Sequence, residues 1–450
     1  MTPTDVPREP PSAPPRRARS WLRGVSTMAF YQVVFLLGLC VYLPVLGWRS
    51  LFDARYRRGF RQRMGRVDLV RTARDVVWIH GVSVGEIKAA TNIIARLRQQ
   101  RPDLQIVLSS TTPNGHQVAR EEHPDLQVVF YPLDFGLWPG RALDGVKPRC
   151  VLLMELEIWP NFLQAAARRD IPVAVINGRI SEKTFRGYRR ARGLLPQLDR
   201  IRLFCVQDAA YQRRLLDLGV DKNTVFVTGN MKYDSVVMGG FEGDGKLLRR
   251  WLVAGDRLVL VAGSTHADEE VAVCQAMAAS PRGRTTRLVL VPRHPERSPA
   301  VVEALRALGR VTVRWSETQR GALPLTEEAV LVVDTIGQLQ RFYAACDIAF
   351  VGGSLIPHGG QNMLEPAAQG RAVVFGPHVA NFRTDVELLL SEQAVVQVGD
   401  QVELARCFDT LVNDGDLRRR LGERARSVIA GNQGATQRTL ELLGPLLFDA

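Results

Sequence analysis

Residues 350–381 read FVGGSLIPHGGQNMLEPAAQGRAVVFGPHVAN. An apolar, β-like run ends in Gly352-Gly353-Ser354, a second pair, Gly359-Gly360, opens a helical segment, and AVVFG follows as another apolar run. Strand, glycine loop, helix and strand in that order predict a βαβ crossover, the building unit of parallel α/β sheets. Glycine-rich backbone at a helix start presents N–H groups and the positive end of the helix dipole, which suits a phosphate. Glu365, three residues after Asn362, stands one turn into that helix and suits the ribose hydroxyls of the same ligand. One glycine pair would read as an ordinary turn with Asn362 capping a helix. Two pairs, a polar cluster and Glu365 within fourteen residues favour a nucleotide pocket instead. It is not a Walker loop. The nearest match, Gly240 to Lys246, is followed by Leu247 where magnesium binding needs Ser or Thr.

The same alternation extends in both directions. VVWIH, QIVLSS, QVVFYPLD, CVLLMELE, PVAVING and RLFCVQ form one series from Val76 onward, and RLVLVAGST, RLVLVPRHP, AVLVVD, IAFVGGS and AVVFG form a second. Continuous apolar runs, rather than strict period-two alternation, suit parallel strands buried on both faces. The fold expected is α/β: two Rossmann-like, doubly wound domains at residues 75–238 and 247–450, joined by a Gly-rich linker at 239–246, with an interdomain cleft.

The net charge of +13 is unevenly spread. Residues 1–74 hold fourteen arginines and four acids, so 14 − 4 = +10 lies there and about +3 on the rest. The folded body is therefore a poor nucleic-acid binder, and none is expected as a partner. The charge surrounds TMAFYQVVFLLGLCVYLPVLGW, residues 27–48, which lacks any charged residue and just reaches spanning length. Gln32 and Pro44 weaken a span, but Tyr31, Tyr42 and Trp48 suit interfacial anchors, and a true span is favoured over a half-inserted helix. The reading is a disordered basic N-terminus at 1–26, a membrane anchor helix at 27–48 contacting lipid, and a basic juxtamembrane segment at 49–74. Seven arginines from Arg49 to Arg66 outnumber the five upstream and place the body on the cytoplasmic side. Six cysteines scattered singly exclude a CxxC-type metal site and suit reduced thiols.

Chemistry-bearing residues cluster at the strand ends. HGVSVGEIKAA (80–90) puts Glu86 at a helix start, either as ordinary dipole stabilisation or as a general base at the mouth of the sheet. MELEIWPN (154–161) places Glu155 and Glu157 on one face if the strand runs through them. NGRISEK and TGNMKYD put Arg179, Lys183 and Lys232 on loops and point to an anionic substrate. GSTHADEE (263–270) places Ser264 in a strand-to-helix turn with capping acids. Arg293 in PRHPER can fork onto phosphate, and DTIGQL adds a glycine turn.

The ordered set HGVSVGE, STTPNG, YPLD, MELEIWPN, NGRIS, GNMKYD, STHADEE, VPRHPER, DTIGQL and VGGSLIPHGGQNMLEPAA, running from about Trp78 to Phe382, resembles the 3-deoxy-D-manno-octulosonic acid (Kdo) transferases of lipopolysaccharide assembly. The resemblance implies a metal-independent, cofactor-free GT-B glycosyltransferase using CMP-Kdo and the tetraacyldisaccharide bisphosphate precursor of lipid A. By the motifs, Glu86 takes the family's general-base position, and Glu155 and Lys232 match transition-state positions. Pro292, Arg293, Ile336, Gly337, Gln338, Asn362, Met363, Leu364 and Glu365 match the CMP contacts, with Gly353, Ser354 and Ser264 as a wider pocket. Gln338 stands where many relatives have Glu, and Gln361 where His is expected. A single base with direct displacement implies inversion. Two alternatives are a sugar-nucleotide epimerase on the same fold and a non-catalytic, membrane-tethered nucleotide-binding protein.

Overall fold

The apolar runs become strands buried on both faces. In the computed structural model, residues 31–33, 36–38, 59–73, 75–192, 196–253, 255–319 and 325–447 are described. They divide into two compact units, residues 1–235 with 433–450, and residues 236–432.

The first unit holds β1 (Val76–His80), β2 (Gln105–Ser110), β3 (Gln127–Phe130), β4 (Cys150–Met154), β5 (Val173–Gly178), β6 (Leu203–Val206) and β7 (Val225–Val227). They pair in parallel in the order β3-β2-β1-β4-β5-β6-β7. Val76 and Trp78 enter one core with Phe162 and Leu163, while Val77 and Ile79 enter another with Ile93, Ile94 and Leu97. Both faces are thus apolar, which is why the sequence shows runs rather than alternation. The strand order reverses between β1 and β4, and ligands of open α/β sheets gather at the strand C-termini there.

The second unit repeats the plan with β8 (Val259–Thr265), β9 (Arg287–Pro292), β10 (Thr312–Arg314), β11 (Val330–Val332), β12 (Ile348–Val351), β13 (Ala372–Phe375) and β14 (Val395–Gln397). The order is β10-β11-β9-β8-β12-β13-β14, again parallel, and the switch falls between β8 and β12. The expected α/β class with two parallel sheets is therefore what the chain forms.

Three expectations need correction. The C-terminal boundary at 450 does not hold, because the helix Ala435–Leu447 belongs to the first unit. Leu440, Leu443 and Leu447 join the core of Ile93 and Leu97, and Asp234 accepts hydrogen bonds from Gly434 N and Thr436 N, both at 2.6 Å. The 239–246 stretch is not a free linker. Residues Glu242–Leu252 form a helix of the second unit. Its Gly245 lies so close to Ala344 that an added Cβ would meet the Ala344 carbonyl oxygen at 2.7 Å, so the glycine serves close packing. Finally, β4 stops at Met154, and Glu155 takes φ 56°, so Glu155 and Glu157 do not share a strand face.

Of the anchor, only 31–33 and 36–38 are described, and these are helical. The readings for 1–26, most of 27–48 and 49–58 lie outside the described residues. No helix among the described residues is long and apolar enough to cross a membrane.

Candidate active site

In the first unit, the turn after β1 leads into the helix Val84–Gln100, with Ser83 as its N-cap. The capping box is complete: Ser83 Oγ accepts from Glu86 N (3.4 Å), and Glu86 reaches back to the turn. Val82 N donates to Glu86 Oε2 (2.8 Å), and Ser83 N (3.3 Å) and Ser83 Oγ (2.7 Å) donate to Oε1. Ser110 Oγ and Thr112 Oγ1, beyond β2, fasten the turn through the Val82 carbonyl at 2.9 and 2.8 Å. Glu86 is only 7% exposed and held in one geometry. The stabilising role of its carboxylate is therefore present, and the fixed side chain also stands at the switch point.

The loop after β4 brings two more carboxyls to the same place. Burial raises the Glu157 carboxyl to about 7, and the charges of Glu86 and Glu155 push it the same way. Glu155 is also raised, by burial first and by Glu86, while Arg179 opposes the shift. Beneath them His80 is fully buried, its pKa lowered to about 3 by desolvation, so it is neutral. Its ring stacks on Tyr131 at 3.7 Å, and Nδ1 lies 2.9 Å from Ser109 Oγ.

The loops after β5, β6 and β7 are laced together. Asn177, at φ 53°, accepts from Met231 N through Oδ1 (3.1 Å), and its carbonyl accepts from Gln207 Nε2 (3.0 Å). Asn230 donates to Gln207 Oε1 (3.2 Å) and accepts from Lys232 N (3.0 Å). This network fixes the half-buried Lys232. Lys183, by contrast, lies within the helix Glu182–Ala191 and is exposed.

In the second unit, the glycine loop differs from expectation. The amides of Gly353 (2.7 Å), Ser354 (3.0 Å) and Leu355 (3.0 Å) donate to the buried carboxylate of Glu269, which also accepts from His266 N (2.9 Å). Those N–H groups are therefore taken by the protein itself. The Ser354 hydroxyl is equally occupied, donating to the Val351 carbonyl (2.5 Å) and accepting from Gly376 N (2.8 Å). Gly352 passes so close to Ser264, which has φ 55°, that a Cβ would lie 2.5 Å from the Ser264 carbonyl oxygen. Ser264, Gly353 and Ser354 thus build the loop. Nor does the helix open at Gly360: it runs only from Leu364 to Ala368.

Asn362 and Glu365 are bonded to each other, Nδ2 to Oε1, at 3.0 Å. Burial raises the Glu365 carboxyl, while that hydrogen bond and the positive charge of Arg293 lower it. Arg293 follows Pro292, the last residue of β9, and is exposed. Met363 and Leu364 are 0% exposed, so their side chains are core and only their main chain can face a ligand. Gly337 takes φ 84° and leaves Ile336 outward, and Gln338 Oε1 accepts from Arg341 at 3.0 Å.

Beside Gln361, the rings of His266 and His358 lie 4.0 Å apart, and those of His266 and His294 6.0 Å. Burial and then the neighbouring His358, His294 and Arg297 lower the His266 pKa. Gln361 Nε2 lies 3.2 Å from His266 Nε2, so the Gln361 amide and the His266 ring meet as hydrogen-bond partners. The Gln361 departure is in this way matched to its neighbour. Sequence reasoning missed Glu269 as the organiser of the loop and assigned the acids of GSTHADEE only to capping.

Residues 58–235 match the family described as "3-Deoxy-D-manno-octulosonic-acid transferase (kdotransferase)". A 3-deoxy-D-manno-octulosonic acid transferase of Haemophilus influenzae is 33% identical over 428 residues, covering 93% of this chain and 98% of the relative. The chain belongs to the Kdo transferases. A Bordetella pertussis transferase of the same description is also 33% identical, over 82% of this chain and 86% of its own. Among solved structures, the UDP-GlcNAc 2-epimerase from Neisseria meningitidis bound to UDP-GlcNAc covers 82% of this chain and 99% of its own, with TM-score 0.52 and 13% identity. That likeness concerns the fold alone. As a Kdo transferase, the protein is a glycosyltransferase of lipid A biosynthesis, and its two Rossmann-like units are GT-B-like.

Proposed function

We propose that this Kdo transferase moves Kdo from CMP-Kdo to the tetraacyldisaccharide bisphosphate precursor of lipid A, with inversion and with Glu86 as general base. The observation that carries the reading is the gathering of Glu86, Glu155 and Glu157 at the switch point of the first unit, where their charges act on one another. An acceptor hydroxyl is a poor nucleophile until its proton is taken, and a carboxylate fixed in place suits that step. Attack of the hydroxyl oxygen on the anomeric carbon breaks the bond to the CMP phosphate. The electron pair leaves with the phosphate, and the proton goes to the carboxylate. Arg293 supplies positive charge for the phosphate, and Lys232 is the cation of the first unit suited to a developing negative charge. Glu365 and Asn362 suit the ribose hydroxyls, and the main chain of 336–338 and 362–364 the rest of the nucleotide. No covalent sugar–enzyme intermediate is needed.

A second reading of the base is favoured by one observation. Glu157 is raised to about 7, where a carboxyl is poised to accept and return a proton near neutral pH. In that reading Glu86 positions the loop and Glu157 takes the proton.

The membrane is part of the proposal: residues 27–48 attach the protein to the cytoplasmic face of the bacterial inner membrane, where a lipid acceptor resides. The test is incubation of the full chain with CMP-Kdo and tetraacyl acceptor, followed by product masses. Addition of one or more Kdo masses is expected, and an unchanged acceptor would reject the substrate pair. Parallel pH profiles of Glu86→Gln and Glu157→Gln then identify the base, because its removal abolishes the acid limb.

A further inference from the structure

The N-terminal apolar segment contains one residue that a simple anchor would not need. Gln32 carries an amide, and an amide in an apolar segment is costly unless its donors and acceptor find partners. Here the amide is used twice. Gln32 Nε2 donates to Asn161 Oδ1 at 2.8 Å, and Gln32 Oε1 accepts from Gly136 N at 3.2 Å. Its neighbour Tyr31 donates its hydroxyl to Asp134 Oδ2 at 2.9 Å. The contacts span more than a hundred residues of sequence, so they are tertiary docking rather than local turn chemistry.

The residues they dock on are not incidental. Asp134 is 1% exposed and accepts from Asn161 N (3.0 Å) and Phe162 N (2.7 Å), which caps the helix Pro160–Ala167 from a distant loop. Asn161 Nδ2 returns to the Asp134 carbonyl at 2.5 Å. Trp159, the residue before this helix, offers no side-chain cap, so Asp134 does that work. The helix start is also the end of the loop that carries Glu155 and Glu157. Val33, Leu36 and Leu37, 56%, 45% and 63% exposed, point outward from the same short stretch. The segment is thus two-sided, with polar groups toward the body and apolar ones away from it.

We propose that Tyr31 and Gln32 are positioning residues, through which the apolar segment holds the 155–159 loop in its working geometry. The role named for that loop rests on the transfer reaction proposed above. An anchor that only localises the enzyme would tolerate any apolar residue at either position. A segment docked in this way makes the loop's order depend on the anchor being in place.

The test uses the full chain in detergent micelles with CMP-Kdo and tetraacyl acceptor. Tyr31→Phe and Gln32→Leu are made singly and together, with Leu37→Ala as a control on the outward side. The double variant is expected to lose about tenfold in kcat, of the order of one or two hydrogen bonds. Its KM for CMP-Kdo, its melting temperature and its membrane fraction should match wild type. Amide hydrogen exchange across residues 155–162 should accelerate in the same variant and not in Leu37→Ala. Wild-type turnover together with wild-type exchange in the double variant overturns the proposal, as does lost turnover without faster exchange. If the wild-type chain itself transfers no Kdo, the proposed substrates fall, and the exchange measurement still decides whether the anchor orders the loop. Should the double variant fail to fold, Tyr31→Phe, which keeps the ring, carries the same two measurements.

Discussion

The two units place a glutamate at the same point of the same topology and use it in opposite ways. Glu86 follows β1 and Glu269 follows β8, each in the first turn of the next helix beside the switch point. Glu86 turns back on its own loop, bonding Val82 and Ser83, and leaves the loop after β4 to bring in two further carboxyls. Glu269 reaches across the switch to the loop after β12 and is consumed by its amides. Its neighbour Glu270 pairs with Arg297 at 3.0 Å and with Thr265 at 2.9 Å. The first unit therefore gathers like charges around Glu155 and Glu157, whose carboxyls are raised by burial first and then by neighbouring charge, and the second meets Glu269 and Glu270 with donors. Clustered, perturbed carboxyls suit proton transfer, and satisfied ones suit a rigid binding surface.

The sharpest break of this comparison would come from Glu269. Glu269→Ala orphans buried amides at 353–355, each costing about 1–3 kcal/mol. The variant is expected to melt far below wild type and to lose CMP binding, both measurable by calorimetry. Glu269→Gln keeps one acceptor oxygen and should recover part of each. A Glu269→Ala variant with normal melting would mean that the loop holds itself.

The corresponding change in the first unit should cost little stability and remove turnover. Glu86→Gln keeps size and one of two acceptor oxygens but not basicity. If Glu86 is the base, kcat falls about 10²–10⁴-fold, CMP affinity stays near wild type and melting drops only slightly for the lost acceptor. Near-normal kcat with a lower melting temperature would assign Glu86 to capping alone and leave Glu157 as the base.

How far the sequence foretold this contrast depends on distance along the chain. Long β-branched runs announced the central strands because both sheet faces are buried. The three-residue strands β7, β10 and β14 escaped notice, since VFV, TVR and VVQ are too short to carry a period. Glu86 was legible because its partners lie within four residues. Glu269 was not, because three of its four partners lie 84 to 86 residues away. The glycines of 350–381 marked a loop built by close packing against Ser264, with its amides at 353–355 taken by Glu269 rather than free. The return of the C-terminal helix to the first unit was hidden too, because an amphipathic helix does not say which core it completes.

A smaller effect is expected at the residues proposed to hold the nucleotide. Glu365→Ala removes a carboxylate whose charge is balanced by Asn362 and Arg293, and Arg293→Ala removes the opposing charge. Each should weaken CMP binding by about 1.5–3 kcal/mol, the range of a charged hydrogen bond. Titration calorimetry on both variants checks this, and unchanged affinity in both would dismiss the pocket. The contrast between units predicts that neither change alters the pH dependence of turnover.

The smallest effect tests the electrostatics of the first unit directly, without substrate. Glu157 has a folded pKa raised from 4.5 to about 7. The folded state therefore holds this proton more tightly than the unfolded chain, and stability falls as pH rises between those values. Below about 4.5 the carboxyl is protonated in both states and contributes no difference. Above about 7 it is ionised in both, and the folded state carries the full cost of a buried charge beside Glu86 and Glu155. Glu157→Gln removes that cost, so the variant should melt a few degrees above wild type at pH 8, since 1 kcal/mol moves a unit of this size by about 2–4 °C. The difference should shrink steadily as pH falls and vanish near pH 4.5. A variant less stable than wild type at pH 8 would show that Glu157 is held by partners there, as Glu269 is, and the opposition between the two units would fail at its central residue.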